Sequence, residues 1–178
     1  MTATPTHDEH GWHVGTVEPW ASAASYTVLS PESTSVFALE RWAHQARRFF
    51  GTQLTGGPQK HYESGWPRFD SGTLELQEGE SSPRHSVRIQ TLPRDRASAL
   101  LEQARIGVVQ MGGAGFDVLV ARTNRVWQFQ CAEQHAPTSG SLLAAAIIAS
   151  VALGPILAPD GALFGVKTAR ERLASRPR

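Results

Sequence analysis

LLAAAIIASVALGPILA, from Leu142 to Ala158, is the stretch on which the fold turns, and the wider segment from Ala136 to Pro159 holds no charged residue at all. Two readings compete for it. A membrane span needs about 20 consecutive apolar residues, whereas this run is shorter, is dominated by alanine and carries Gly154-Pro155 near its end. A buried helix suits it better, because alanine-rich faces let a helix pack closely onto a sheet. Leu142, Leu143, Ile147, Ile148 and Leu153 also offer more apolar surface than one contact consumes, which makes them candidates for a dimer or partner interface.

Downstream, Gly161 to Arg176 carries an apolar side of Leu163, Phe164, Val166 and Leu173 and predicts a last helix. Upstream, Arg125 to Ala132 places Trp127, Phe129 and Cys131 on one face and Gln128 and Gln130 on the other, the period of a strand. Phe116 to Arg122 precedes it across a Thr123-Asn124 turn, so the pair predicts an antiparallel hairpin. Ser86 to Thr91 alternates in the same way, with Val87, Ile89 and Thr91 opposite Arg88 and Gln90. A helix follows it, opened by Pro93, striped by Ala97, Leu100, Leu101 and Ala104, and ended by Gly107.

The firmest helical period lies at Val36, Leu39, Ala43, Ala46 and Phe50, with Ser33 or Thr34 as N-cap and Gly51 as a left-handed stop. Between Thr52 and Pro83 the density of Gly and Pro leaves room only for short strands in hairpins, of which Thr73 to Gln77 is the clearest. Residues 1 to 33 follow neither period for long. They predict a tail or a loosely docked arm, with Trp12, Trp20, Tyr26 and Val28 able to anchor it, at most as one short edge strand. The remainder, 34–178, reads as one domain.

Bulk properties exclude more than they assert. A chain of 178 residues with an apolar fraction of 40% can bury a core without disulfides or metals. Net charge is only +1, too little to draw the whole molecule onto nucleic acid or an anionic membrane. The charge is unevenly placed, however: no Lys or Arg precedes Arg41, while Lys167, Arg170, Arg172, Arg176 and Arg178 crowd the C-terminus. One cysteine, Cys131, rules out an internal disulfide, and the N-terminal residues lack the pattern of a signal peptide, so a cytoplasmic location is the expectation.

Each chemical motif has a plainer rival. His7, His10 and His13 stand three residues apart, as metal ligands on a helix do, but in a segment without helical period. Gly112-Gly113-Ala114-Gly115 has the glycines of a phosphate loop without the following lysine, and reads as a flexible turn or bulge. Cys131 with His135 pairs a thiol with an imidazole, yet Cys131 shares the face of Trp127 and Phe129 and should be a buried hydrophobe. No cofactor or metal site is assigned. Arg41, Trp42, Arg47, Arg48, Phe49 and Phe50, then Tyr62, Trp66, Arg68 and Phe69, interleave cations with flat rings as single-strand binders do. The plainer reading puts those rings in the core and the arginines in water.

The order after the arm is α-β-β-β-α-β-β-α-α, which predicts an α+β fold: a small antiparallel sheet of about five strands covered on one side by helices. At the level of element order alone, this resembles the compact fold of type III secretion chaperones and their relatives, and a shared fold carries no function with it. The leading functional expectation is a non-catalytic macromolecule-binding protein of adaptor, chaperone, inhibitor or immunity type, acting on a protein partner or on itself as a homodimer. The alternatives are a single-stranded nucleic-acid binder using Arg47, Arg48, Trp66 and Arg68, and an enzyme whose site is assembled from scattered residues such as His61, Tyr62, His85 and Asp117.

Overall fold

The computed structural model describes residues 17–33, 38–56, 70–113 and 115–176. The uncharged run becomes helix α4, Ser139–Ala152, and its start is fixed by a reciprocal cap. The Thr138 hydroxyl accepts from the Ser141 amide, while the Ser141 hydroxyl accepts from the Thr138 N–H at 2.7 Å. Every residue from Gly140 to Ala149 is buried. A helix that is apolar all round is stable only when enclosed all round: the sheet lies against α4, and α1 (Leu39–Phe50) and α5 (Val166–Ala174) pack against it as well.

Among the described residues, seven strands form the sheet: β1 Tyr26–Ser30, β2 Gln53–Gly56, β3 Ser71–Gln77, β4 Arg84–Pro93, β5 Arg125–Cys131, β6 Ile156–Leu157 and β7 Leu163–Phe164. Their order is β2-β3-β4-β5-β1-β6-β7, antiparallel throughout. Strand alternation sends Val28, Leu74, Leu76, Val87, Ile89, Trp127 and Phe129 into one core with α1 and α4, where Trp42 meets Trp127 edge-on at 5.2 Å. The opposite face carries a second, smaller core. There Leu29, Leu92, Val126 and Leu157 pack against Leu100, Leu101 and Ala104 of α2 (Ser98–Gln110) and Val120 of α3 (Phe116–Ala121). Helices therefore cover both faces rather than one.

Several further expectations fail, each for a physical reason. The stretch from Phe116 is a helix, so the hairpin drawn from 116 to 132 does not exist. Gly113 and Gly115 both take positive φ (83° and 82°) and turn the chain from α2 directly into α3, and both sides of β5 are already taken by β4 and β1. A short apolar run cannot itself choose between buried helix and strand.

The second difference is β1. Instead of edging the sheet it lies inside it, paired with β5 from Tyr26↔Phe129 to Ser30↔Arg125 and with β6 at Thr27 and Val28. The third concerns the C-terminal half of the apolar run. Leu153 takes a left-handed conformation (φ 56°) that ends α4, after which Pro155 accepts from the Leu29 amide at 3.0 Å and the chain enters β6. Segment 161–176 likewise begins as β7 before α5. The count rises from about five strands to seven because the strand expected at 116–122 is lost while β1, β6 and β7 are added, the last two being two residues long, below what periodicity can register.

Gly107 is inside α2 and does not end it. A Cβ there would stand 3.0 Å from the Gly161 carbonyl oxygen, so the glycine is where the helix meets the β6–β7 turn. Gly51, by contrast, caps α1 in the left-handed region as expected. Tyr26 sits half-buried at the start of β1, and burial pushes its phenol above the ordinary value of 10.0, against the opposing pull of Arg172 and Arg176. The folded chain thus holds this proton more tightly than the unfolded one. Its stabilising contribution is whole below pH 10 and is lost as pH rises through the raised folded value. Urea denaturation between pH 8 and 11 should accordingly show a shallower alkaline loss of stability for Tyr26→Phe than for the wild type.

Candidate functional site

The alternation that buries Trp127 and Phe129 on one face obliges Gln128 and Gln130 to emerge on the other, beside Arg88 and Gln90 of β4. Helices α2 and α3 cover the apolar part of that face. Over the glutamines lies the N-terminal segment 17–25, which includes a 3-10 turn at Ser22–Ala24. The Gln128 carboxamide grips it from both sides: its Oε1 accepts from the Trp20 N–H at 2.8 Å, and its Nε2 donates to the Trp20 carbonyl at 2.8 Å and to the Ser25 hydroxyl at 3.0 Å. Gln90 Nε2 donates to the Glu18 carbonyl at 2.8 Å and to Gln128 Oε1 at 2.9 Å. All four hydrogen-bonding positions of Gln128 are thereby filled.

Side chains add specificity to this backbone grip. The Arg88 guanidinium stands 4.8 Å from the centre of the Trp20 ring while donating to Gln130 Oε1 at 2.9 Å. Arg96 pairs with Glu18 at 3.1 Å. Gln90, Gln128 and Gln130 are all buried, whereas no residue from Val17 to Ala24 is. The segment covers the sheet without becoming core.

The outward side of the α2–α3 unit is different in kind. Ile106 is 44% exposed, Val109 79%, Met111 36% and Val118 52%. On α2, Ile106 and Val109 point away from the stripe of Leu100, Leu101, Ala104 and Val108, so the helix is apolar on two sides and only one is packed. Glu102 and Arg105 pair on the same helix at 3.1 Å. Exposed apolar side chains in such a group mark contact surfaces more often than isolated ones do.

No family model, curated protein or solved structure matches this chain. What each candidate residue does must come from where the fold puts it. Leu142, Leu143, Ile147 and Ile148 are enclosed in the first core and present no surface, while Leu153, at the C-terminus of α4, is 77% exposed. Arg47 and Arg48 are exposed on α1; Trp66 and Arg68 lie outside the described residues, as do His61, Tyr62 and the three N-terminal histidines. His85 and Asp117 are not brought together, since the His85 ring faces Gly140 of α4 and Asp117 opens α3 on the opposite side of the sheet. Cys131 is half-buried at the end of β5 and is tied to the following turn through its backbone, its N–H donating to Ala136 and its carbonyl accepting from His135.

Clefts open on the surface among the described residues. One, of about 610 Å3, lies where β4 meets α2 and is lined by Arg94, Asp95, Ser98, Arg105 and Asn124. Its cations are engaged, Arg94 with the carbonyls of Ala121 and Thr123, and Arg105 with Glu102. Another, of about 240 Å3, is lined by Phe49, Phe50, Leu143, Arg170 and Leu173. Here too the arginine lies against a ring of the same chain, Arg170 on Phe50, as Arg48 of α1 lies on Phe49. Among the described residues no group of three or more His, Cys, Asp or Glu could hold a metal ion, and no helix is long and apolar enough to cross a membrane.

Trp20 was legible as a residue able to anchor the arm, but its seat on Gln128 and Arg88 was not. The polar side of β5 was legible in the alternation of Gln128 and Gln130, though not that the arm buries it. Nothing local, however, links Gln128 to a tryptophan 108 positions away.

Proposed function

We propose that this protein is a non-catalytic protein-binding module that acts through the outward surface of α2 and α3, with a second copy of the chain as the partner that surface fits. The observation that carries the reading is the exposure of Val109, Val118, Ile106 and Met111 on one helical unit whose inner side is already packed. Self-complementarity favours a copy of the same chain. Glu102 and Arg105 share the outer part of α2, so two antiparallel copies would face each glutamate with the other's arginine, as an isologous interface requires.

Adaptor, chaperone, inhibitor and immunity roles all use such a surface, and all need a partner rather than a reaction. The nucleic-acid reading draws less from the fold, because Arg48 and Arg170 already lie against Phe49 and Phe50 of the same chain.

Sedimentation velocity over a range from about 1 to 200 µM tests the proposal. The wild-type chain should sediment faster as concentration rises. Val109→Glu should remain monomeric across the range with an unchanged melting temperature, since an exposed site costs about 0.5 kcal/mol or less. A wild-type chain that stays monomeric throughout would overturn the reading.

A further inference from the structure

The arm and its seat have the form of a bound peptide and its receptor. We propose that Gln90, Gln128, Gln130 and Arg88 form a docking site for an extended, tryptophan-bearing peptide, which the chain fills with its own residues 17–24 and from which those residues can be displaced by another segment of the same chemistry. This site is independent of the α2–α3 surface.

The division of labour is that of a receptor. Gln128 and Gln90 bond to backbone atoms of Trp20 and Glu18, which any extended peptide presents, with one further bond from Gln128 to the Ser25 hydroxyl, whereas Arg88 contacts the indole and Arg96 the carboxylate. Backbone bonds supply affinity and side-chain contacts supply selectivity. Indole is the best partner for a guanidinium among the aromatic rings, and the contact strengthens as water is removed from it.

The asymmetry of burial shows which part is separable. Removing the arm would uncover three glutamines and one arginine, all of which water can solvate, and would uncover little of the apolar core, because Val17 alone on the arm packs against the second cluster, and only partly buried. Segments held by few apolar contacts open at free energies well below global unfolding. A bare site would nonetheless leave the carboxamides of Gln128 and Gln90 without their ordered partners, which favours reoccupation by a peptide.

A labelled peptide of residues 17–25, VEPWASAAS, added to the full-length chain tests this. In the wild type the tethered arm competes at an effective concentration of about millimolar. In Trp20→Ala that competitor loses its indole, so the peptide should bind the variant roughly tenfold more tightly than the wild type. The same peptide with alanine for tryptophan should bind the variant roughly tenfold more weakly, and adding Arg88→Ala to the variant should weaken binding of the tryptophan peptide by a similar factor. Hydrogen exchange on Trp20→Ala reports whether its own arm has been released. Two results would overturn the proposal: an arm as protected in the variant as in the wild type, or a released arm with no binding of the added peptide.

Discussion

Gly154→Ala should cost on the order of 3 kcal/mol or more, lowering the melting temperature by roughly 10 °C for a chain of this size. A Cβ at residue 154 would overlap the carbonyl oxygen of Leu29 and stand 2.8 Å from its carbonyl carbon. These are backbone atoms of β1, an interior strand, so no rotamer change relieves the clash. Moving Leu29 would strain the hydrogen bond that its N–H donates to the Pro155 carbonyl on one side and the β1–β5 ladder on the other. Gly161→Ala is the matching control: its φ of 85° disfavours a side chain, but nothing lies within 4 Å of the added carbon. Its cost should stay near 1 kcal/mol. Thermal melts of both variants check the pair, and a Gly154→Ala protein within 1 kcal/mol of wild type would show that the crossing of α4's exit over β1 is looser than this.

Ile147→Lys should leave the chain largely unfolded, while Leu153→Lys, six residues further on, should be nearly silent. Ile147 is wholly enclosed between the sheet and the surrounding helices, and an ammonium there must either be desolvated or give up its proton. A shift of 3–5 pKa units corresponds to about 4–7 kcal/mol, a large share of the roughly 5–15 kcal/mol that holds a domain folded. Leu153 projects from the end of α4, where a lysine stays in water and the change should fall within about 0.5 kcal/mol. The contrast also separates two roles for the apolar run. Were Ile147 part of a surface for a partner, the lysine would weaken association and leave the isolated fold intact; far-ultraviolet circular dichroism with urea titration distinguishes the cases.

The long apolar run was legible as a buried helix because its composition permits little else, and the β4 and β5 alternations were legible because each strand alternates apolar with polar side chains, although the fold then buries Gln90, Gln128 and Gln130 as well. Helix α1 was legible from its period and from Gly51. What could not be read was which segments neighbour which. The stretch from Phe116 has a composition that suits either a strand beside β5 or a helix above it. The choice fell to β1 and β4, which occupy both flanks of β5 from distant parts of the chain. The candidate interface failed in the same way: Leu142, Leu143, Ile147 and Ile148 looked like surplus apolar surface only until α1 and α5 were in place to consume it.

Sequence by itself determined the periods of α1, β4 and β5, the left-handed stop at Gly51 and the uncharged segment, since these depend on near neighbours and on side-chain solvation that composition already reports. The helix starts read at Ser33 or Thr34 and at Pro93 do not hold, because α1 begins after Ala38 with no side-chain cap and Pro93 ends β4. Tertiary structure alone decided the place of β1 inside the sheet, the helical state of 116–121, and the seat of Trp20 on Gln128 and Arg88. Each of those rests on partners roughly a hundred residues apart or on competition for one strand edge, and local free energies there differ too little to settle the outcome before the chain has closed on itself.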